Sequence, residues 1–454
     1  MLASKLKFVL ILYLGSMIFL HVLLFLYVKQ QARDGYSDFS IFYGAARILL
    51  SGQGGHLYEN GLQLEVQRQF APVARAHDGP LPYNHPPFEA LFYLPFSYLP
   101  YWPAYLAWGS VNLLLLCGTL FLLRRHLQSV FRFSPWVPFM AILGFFPAAV
   151  AVMQGQDSIL LLMLYSLTFL AMTRGSEFAA GCCLAFGLFK FHLVLPFVAI
   201  LLLRRRMKFI LGFLLVAGLL VLLSAALVGW KELVEYPRYV WQVNQSPPIK
   251  VIWPRNMPNL RGLIAGWTDR RPTPFWLDAL ILVTSSWALL WAAKRFDPAQ
   301  WRDSRTSAMA FALAVIVTFL VGYHGYSQDL SILLLPLLLV AEWLFGGWKP
   351  NAWIRWSLLA CLGVLFCTPI YVALVFQLKH LNVLAVALLL LAVSLGRALK
   401  SEQKEEPVTV PLAASEGPQI SISRALVKTP SSPIAERRKS LWCSWSAQHN
   451  HQHG

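Results

Sequence analysis

Long apolar runs separated by short basic segments are the dominant feature of this sequence. A helix needs about 20 apolar residues to cross a bilayer, because hydrocarbon offers no hydrogen-bonding partner to an open backbone. This requirement predicts an all-α polytopic integral membrane protein with about 12 transmembrane helices. The predicted spans cover residues 8–29, 102–123, 135–152, 156–173, 178–190, 191–203, 207–229, 274–294, 306–322, 328–345, 353–371 and 376–398.

The composition agrees with a membrane protein and argues against nucleic-acid binding. Hydrophobic residues make up 57% of the 454 residues and charged residues only 13%. The net charge of +17 comes mostly from lysines and arginines that flank apolar runs, as in the cytosolic loops of membrane proteins. The six cysteines show no C-x-x-C spacing and five lie in apolar stretches, so neither a disulfide framework nor a zinc site is indicated.

Basic residues occupy every second connection between the predicted spans, which orients the chain by the positive-inside rule. Both termini are then cytosolic, and two long external loops remain, at residues 30–101 and 230–273. The alternation holds only if the proline-rich segment 86–100 is half-inserted or interfacial. Residues 1–400 are predicted to form one membrane-embedded domain, and residues 401–454, rich in Ser, Pro, Glu and Lys, a disordered cytoplasmic tail.

The same alternation requires residues 178–203 to reverse direction around Lys190, Phe191 and His192. Each half would have about 13 residues and a length of about 20 Å, short of a hydrocarbon core of about 30 Å. Backbone turns at membrane depth occur where protein lines a cavity, so this turn is a candidate site. An ammonium group at that depth needs a partner or a water-filled cavity.

An acidic residue follows the first predicted span. Apolar residues recur at helical spacing after it, which predicts an amphipathic helix over residues 37–50 on the membrane surface, with Asp38 in its first turn. Two interpretations of Asp38 stand side by side. Ser37 caps this helix and Asp38 only complements the helix dipole, or Asp38 is a general base held at the lipid interface.

Further polar segments fall on the same predicted side of the membrane as Asp38. Each alone is an ordinary polar turn, but the connections on the opposite side hold mainly Arg and Lys, so the convergence favours one shared site. Arg255 and Arg261, in the basic second external loop, contact either anionic lipid headgroups or a phosphate. The converging segments are Tyr83-Asn-His-Pro-Pro-Phe, Gln154-Gly-Gln-Asp, Lys190 with His192, and Tyr323-His-Gly-Tyr-Ser-Gln-Asp.

The order of these motifs resembles glycosyltransferase family 87 over residues 30 to 345. The resemblance implies a GT-C membrane fold and transfer of a sugar, with inversion, from a polyprenyl phosphate to an acceptor hydroxyl on the external face. Mannose is the sugar of the best-known members, which are polyprenyl-phosphate-mannose-dependent alpha-1,2-mannosyltransferases. The matching motifs are Asp-Phe-x-x-Phe-Tyr-x-Ala-Ala, Tyr-x-His-Pro-Pro-Phe, Gln-Gly-Gln, Lys-Phe-His-x-x-x-Pro, Asn-x-Arg-Gly and His-Gly-Tyr.

The resemblance also implies roles for individual residues. The catalytic acidic residue of the family matches Asp38, with Asp34 as a rival, and its functional histidine most nearly matches His324. The candidates for binding the donor phosphate are Lys190, His192, Arg255 and Arg261. The candidates for binding the substrates are Tyr43, Tyr58, Tyr83, Asn84, His85, Gln154 and Gln156.

The implied partners are a polyprenyl-phosphate sugar donor, a glycolipid or glycan acceptor, and membrane lipids. The leaving group is a lipid monophosphate and no acidic pair has metal-ligand spacing, so neither a metal nor a cofactor is expected. The expected location is the plasma (inner) membrane of the cell, with the active site on the external face.

A transporter or flippase of lipid-linked saccharides is the competing hypothesis. An intramembrane lysine and a broken helix would suit it equally well. A transporter needs access from both faces of the membrane, whereas the polar residues placed here crowd one face. The sequence therefore favours the transferase.

Overall fold

The structure is a computed structural model that describes residues 2–245, 254–266, 273–296, 305–376 and 382–405. Within these ranges every regular element is helical. The α-helices are α1 (Leu2–Arg33), α2 (Phe39–Leu50), α3 (Asn60–Phe70), α4 (Pro72–Asp78), α5 (Ala90–Tyr93), α6 (Tyr101–Leu123), α7 (Gln128–Phe133), α8 (Trp136–Leu143), α9 (Phe146–Gln154), α10 (Ser158–Thr173), α11 (Glu177–Ala185), α12 (Phe191–Leu203), α13 (Met207–Val228), α14 (Trp230–Gln245), α15 (Leu260–Ala265), α16 (Phe275–Arg295), α17 (Arg305–Val321), α18 (Leu334–Phe345), α19 (Ala352–Leu365), α20 (Thr368–Phe376) and α21 (Val383–Glu405). Short 3-10 helices cover Gly54–His56, Pro87–Glu89, Leu94–Tyr98, Arg124–His126, Phe186–Lys190, Pro254–Asn256 and Ser327–Leu333.

The all-α polytopic fold is confirmed. Among the described residues, seven helical segments are long and apolar enough to cross a membrane, and nine if the bent pairs α8–α9 and α19–α20 each count as one span. The prediction of about 12 spans is higher for two reasons. It counted α10 and α17, which have only 16 and 17 residues, and it counted α11 and α12 as two half-length spans, where length and composition alone take residues 177–203 as one. The α17 helix is buried from Thr306 to Leu320, so surrounding protein rather than lipid covers it.

The chain reverses direction between α11 and α12, although hydropathy alone would accept residues 177–203 as one span. The Glu177 carboxylate at the start of α11 lies 2.7 Å from the Arg206 guanidinium beyond the end of α12. A straight helix of this length would hold its ends about 40 Å apart, at about 1.5 Å per residue. The 3-10 helix Phe186–Lys190 makes the turn, as the sequence predicted.

Glycines let α11 and α13 approach each other closely. A Cβ atom built at Gly181 would overlap the carbonyl oxygen of Phe209, and one built at Gly212 would overlap that of Phe178. This contact fixes α11 alongside α13 and leaves the Lys190 turn at the far end of both half-helices.

The α2 helix forms where the sequence predicts it, and other parts of the protein cover its apolar residues. Eight of its 12 residues are buried, and it packs against α3, α5 and the 3-10 helix Leu94–Tyr98. The rings of Phe42 and Tyr93 are stacked with centroids 4.6 Å apart, and Phe39 contacts Tyr101 and Tyr105. The apolar residues of α2 therefore meet aromatic side chains of the protein rather than lipid.

Other predicted regions have the following outcomes. Segment 86–100 forms three short helical pieces, none long enough to span a bilayer. The second predicted loop contains α14 and α15, while residues 246–253 and 267–272 lie outside the described ranges. The predicted cytoplasmic tail begins as the end of α21, and from residue 406 onward it also lies outside them.

Candidate active site

Asp38 immediately precedes α2 and is half-buried. No side-chain hydrogen bond from Asp38 caps the helix, and the Ser37 hydroxyl pairs with the Tyr101 hydroxyl at 3.1 Å. The capping interpretation of this segment is therefore wrong. Instead, Nε2 of Gln156 donates to Oδ2 of Asp38 at 2.7 Å, and the Asp38 backbone N–H donates to Oε1 of Gln154 at 3.3 Å.

The turn between α9 and α10 presents both glutamines. Gly155 adopts φ +68°, a left-handed conformation that ends α9, and a Cβ atom there would lie 2.5 Å from Cβ of Phe39. The Trp108 indole N–H donates to the Gly155 carbonyl at 2.9 Å. This close approach is what brings Gln154 and Gln156 to Asp38.

Lys190 lies behind Gln156 in a buried ion-pair cluster. Its Nζ atom lies 2.9 Å from Oδ1 of Asp329, 3.1 Å from Oδ1 of Asp157 and 3.1 Å from Oε1 of Gln156. The Lys190 and Asp329 side chains are each 5% exposed and Asp157 is fully buried. Asp329 also accepts from the Ser158 hydroxyl and from the Tyr326 backbone N–H. Two carboxylates therefore more than offset the ammonium charge, which meets the need for a partner at membrane depth.

A histidine and a glutamate extend this cluster on its other side. Nδ1 of His85 lies 2.9 Å from Oε2 of Glu89, which is fully buried at the end of the 3-10 helix Pro87–Glu89. The Glu89 carboxyl also lies within hydrogen-bonding reach of the Asp157 carboxyl. Polar groups thus connect Asp38 through Gln156, Lys190, Asp157 and Glu89 to His85.

A second group of cationic and imidazole side chains faces the same region. The rings of His192 and His324 lie 6.0 Å apart between centroids. Arg261 stacks over the Tyr323 ring at 3.8 Å and donates to the Tyr323 carbonyl oxygen at 3.2 Å. Asn259 fixes this loop, because its Nδ2 donates to the Gly322 carbonyl and its Oδ1 caps α15.

Burial shifts the pKa values of the groups that lie outside the spanning helices. It raises the pKa of Asp38, opposed by the Gln156 hydrogen bond and the Lys190 charge. Burial and the neighbouring Asp157 raise the pKa of Glu89 well above its usual range. Burial lowers the pKa of His85 to about 4 and that of His324 to about 3, so both imidazoles are neutral at pH 7.

A comparison with protein-family models matches residues 83–322, more than half of the chain, to glycosyltransferase family 87. The chain belongs to glycosyltransferase family 87. The comparisons found no match among curated proteins or solved structures. Family membership together with the apolar helices makes the protein a membrane glycosyltransferase, which favours the transferase over the transporter hypothesis.

The residues predicted for this family 87 site fall into three groups. Seven of them converge in one region, namely Asp38, Gln154, Gln156, Lys190, His85, His192 and His324. Within it, the charges of His192, Arg261, Asp329 and His85 affect the pKa of His324. The Asp34 carboxylate accepts from Gln30 at 2.9 Å. Arg255 belongs to the 3-10 helix Pro254–Asn256, but its side chain lies outside the described part of the structure.

The predicted tyrosines are buried, and the hydroxyl group of each donates to a backbone carbonyl. The Tyr43 hydroxyl donates to the Leu99 carbonyl, Tyr58 to that of His85, and Tyr83 to that of Pro86. Tyr58 and Tyr83 contact each other, with ring centroids 6.2 Å apart. The backbone carbonyl of Asn84 accepts a hydrogen bond from the Tyr236 hydroxyl.

The sequence analysis named no role for Glu89, Asp157 or Asp329. The sequence does indicate a role for Glu89, since it is the only charged residue between positions 79 and 101 and lies four residues after His85. The need of Lys190 for a counter-charge pointed to an acid in the same way. In the described part of the chain, no group of three or more His, Cys, Asp or Glu side chains is arranged to hold a metal ion.

Proposed function

We propose that the protein transfers a hexose, mannose in the first instance, from a polyprenyl-phosphate donor to an acceptor hydroxyl, with inversion, and that Asp38 is the general base. The observation that carries this proposal is the hydrogen bond from Gln156 to Asp38. It holds the carboxylate of this half-buried residue in a fixed orientation, and burial raises the pKa of that carboxylate towards the range useful for a base.

The reaction is a single displacement. Asp38 accepts the proton of the acceptor hydroxyl while that oxygen forms a bond to the anomeric carbon of the sugar. The bond from the anomeric carbon to the phosphate oxygen breaks, and the polyprenyl phosphate leaves with the electron pair. Attack from the side opposite the phosphate inverts the anomeric configuration.

The leaving phosphate gains negative charge as this bond breaks, so fixed donors near its oxygens lower the barrier. Arg261, His192 and His324 form the cationic and imidazole side of the region and are proposed to bind the phosphate, together with Arg255. Lys190 was a candidate for the same role. Two carboxylates already offset its charge in full, so we propose that it orients Gln156 instead.

The distribution of charge supports an external active site. The α10 helix runs from Asp157, beside the site, to Arg174, a distance of about 24 Å at about 1.5 Å per residue. Arg206 lies near that far end, beside Glu177. Basic residues mark the cytosolic side of a membrane protein, which supports an external position for Asp38. We further propose that the protein lies in the plasma (inner) membrane and that its acceptor is a glycolipid or glycan.

The test is transfer of radiolabelled mannose from synthetic polyprenyl-phosphate mannose in membranes that contain the protein. Wild type and Asp34→Asn should transfer the sugar, and Asp38→Asn should lose about 100-fold or more of the rate at equal expression. Equal activity of Asp38→Asn would reject the base. Absence of transfer from a panel of polyprenyl-phosphate sugars with native lipids as acceptors would reject the donor class.

A further inference from the structure

Glu89 is a fully buried acid that the proposed displacement does not use. It lies four residues after His85, and Oε2 of Glu89 is 2.9 Å from Nδ1 of His85. The His85 side chain is 18% exposed and that of Glu89 is fully buried, so His85 keeps accessible surface beside a buried acid. The rings of Phe42 and Tyr83, with centroids 4.9 and 5.6 Å from that of His85, hold the imidazole in place.

The charge balance of the buried cluster decides the protonation of Glu89. The Glu89 and Asp157 carboxyls are neighbours, and two adjacent buried carboxylates cannot both ionise cheaply. Nζ of Lys190 lies 3.1 Å from Asp157, so the negative charge stays on Asp157 and the proton on Glu89. The neutral Glu89 carboxyl then keeps an oxygen that can accept from the Nδ1–H group of His85, 2.9 Å away.

This arrangement fixes the tautomer of His85. Nδ1 of His85 faces Oε2 of Glu89 at 2.9 Å, which places the imidazole proton on Nδ1 and leaves the lone pair on Nε2. We propose that Nε2 of His85 accepts a hydrogen bond from a hydroxyl group of the transferred sugar, and that Glu89 is the positioning residue that presents it. The inference rests on the proposed polyprenyl-phosphate donor and assigns one of its sugar contacts.

A lone pair at this position suits a hydroxyl and not a phosphate. Phosphate oxygens need donors, and an acceptor facing them would repel them. The donors that a phosphate needs are instead on the side of the region where Arg261 lies. The sugar and its phosphate would therefore be read by different histidines, His85 for the sugar and the pair His192 and His324 for the phosphate.

The experiment compares two ligands that differ only in the sugar. In His85→Ala, the KM for polyprenyl-phosphate mannose should rise about tenfold, the effect of one hydrogen bond. The inhibition constant of polyprenyl phosphate without sugar should stay unchanged. A monodeoxy donor that lacks the recognised hydroxyl should be a poorer substrate for wild type but not for His85→Ala.

The variants of Glu89 test its protonation. Glu89→Gln keeps one acceptor for His85 and one donor for Asp157, so its KM should stay within about twofold of wild type. Glu89→Ala should show the defect of His85→Ala. The matched control is His56→Ala, because His56 forms a similar pair with Glu59 in which both side chains are 61% exposed; its KM should equal that of wild type.

Three results would overturn the inference while wild type remains active. They are an unchanged KM in His85→Ala, an inhibition constant for polyprenyl phosphate that rises as much as the KM, and a Glu89→Gln variant as defective as Glu89→Ala. If wild type neither transfers mannose nor is inhibited by polyprenyl phosphate, the proposed donor fails instead. Thermal unfolding of each variant identifies loss of folding as a separate cause.

Discussion

Replacing Lys190 by Met removes the only cation in contact with Asp157 and Asp329 among the described residues. Methionine has a similar length, so the main change is electrostatic rather than a cavity. The ammonium lies 2.9 and 3.1 Å from the two carboxylates, and all three side chains are at most 5% exposed. Removing one partner of a buried ion pair costs about 3–5 kcal/mol, and this variant leaves two uncompensated charges. We expect a loss of at least that size.

The charges can be removed together to test this reasoning. In the triple variant Lys190→Met, Asp157→Asn, Asp329→Asn, no unpaired charge remains, and the new amide oxygen at position 329 can still accept from the Tyr326 backbone. Most of the lost stability should return, because neutral replacement of a buried ion pair is often tolerated. The assay is thermal unfolding in detergent micelles followed by tryptophan fluorescence, with the exposed Lys208→Met as control.

Two outcomes would refute this account of Lys190. One is a Lys190→Met variant as stable as wild type, and the other is a triple variant no more stable than the single one. The triple variant also tests the role of Lys190 in the site. It should bind polyprenyl phosphate with the wild-type inhibition constant yet show a lower kcat, because Gln156 has lost the donor at its Oε1 atom. A weaker inhibition constant in a stable triple variant would return Lys190 to the phosphate.

Three further predictions follow from single contacts. Gln156→Leu should lower kcat about tenfold and move the acidic limb of the pH–rate profile to higher pH. The Gln156 hydrogen bond lowers the pKa of Asp38, so its removal raises that pKa; an unmoved limb would contradict this. Stability should fall as the pH drops from 7 towards 4, because buried His324, whose pKa is lowered to about 3, binds its proton in the unfolded chain first; His324→Gln should flatten that slope in pH-dependent melting. Gly181→Ala should lower the melting temperature by forcing α11 away from α13, whereas Gly218→Ala, with open space around it, should not.

The sequence predicted the helical segments and the reversal at Lys190 because two physical rules constrain them directly. Apolar length defines a span, and the positive-inside rule requires Arg174 and Arg206 on one side. The same rules place Gln156 and Lys190 on the side of Asp38, where the structure brings them into hydrogen-bonding contact.

The remaining features depend on contacts that hydropathy does not record. An apolar helix face packs equally well against lipid or against aromatic side chains, so hydropathy did not show that protein covers α2. A short apolar run surrounded by protein, such as α17, looks like a span in sequence. The partner of Lys190 lies 139 residues away at Asp329, a pairing that only tertiary structure defines.

The network also explains why an amide, and not a cation, contacts the base. A lysine paired directly with Asp38 would favour the ionised carboxylate and depress its pKa, which would leave a weak base. In the structure, Gln156 lies between the Lys190 ammonium and the Asp38 carboxylate. Asp157 and Asp329 together outweigh the charge of Lys190. Gln156 gives Asp38 a neutral hydrogen bond in place of an ion pair, so the charge of Lys190 lowers the pKa of Asp38 only from a distance. The carboxylate thus gains a fixed orientation while burial keeps its pKa raised, the combination that a general base for a weakly acidic hydroxyl requires.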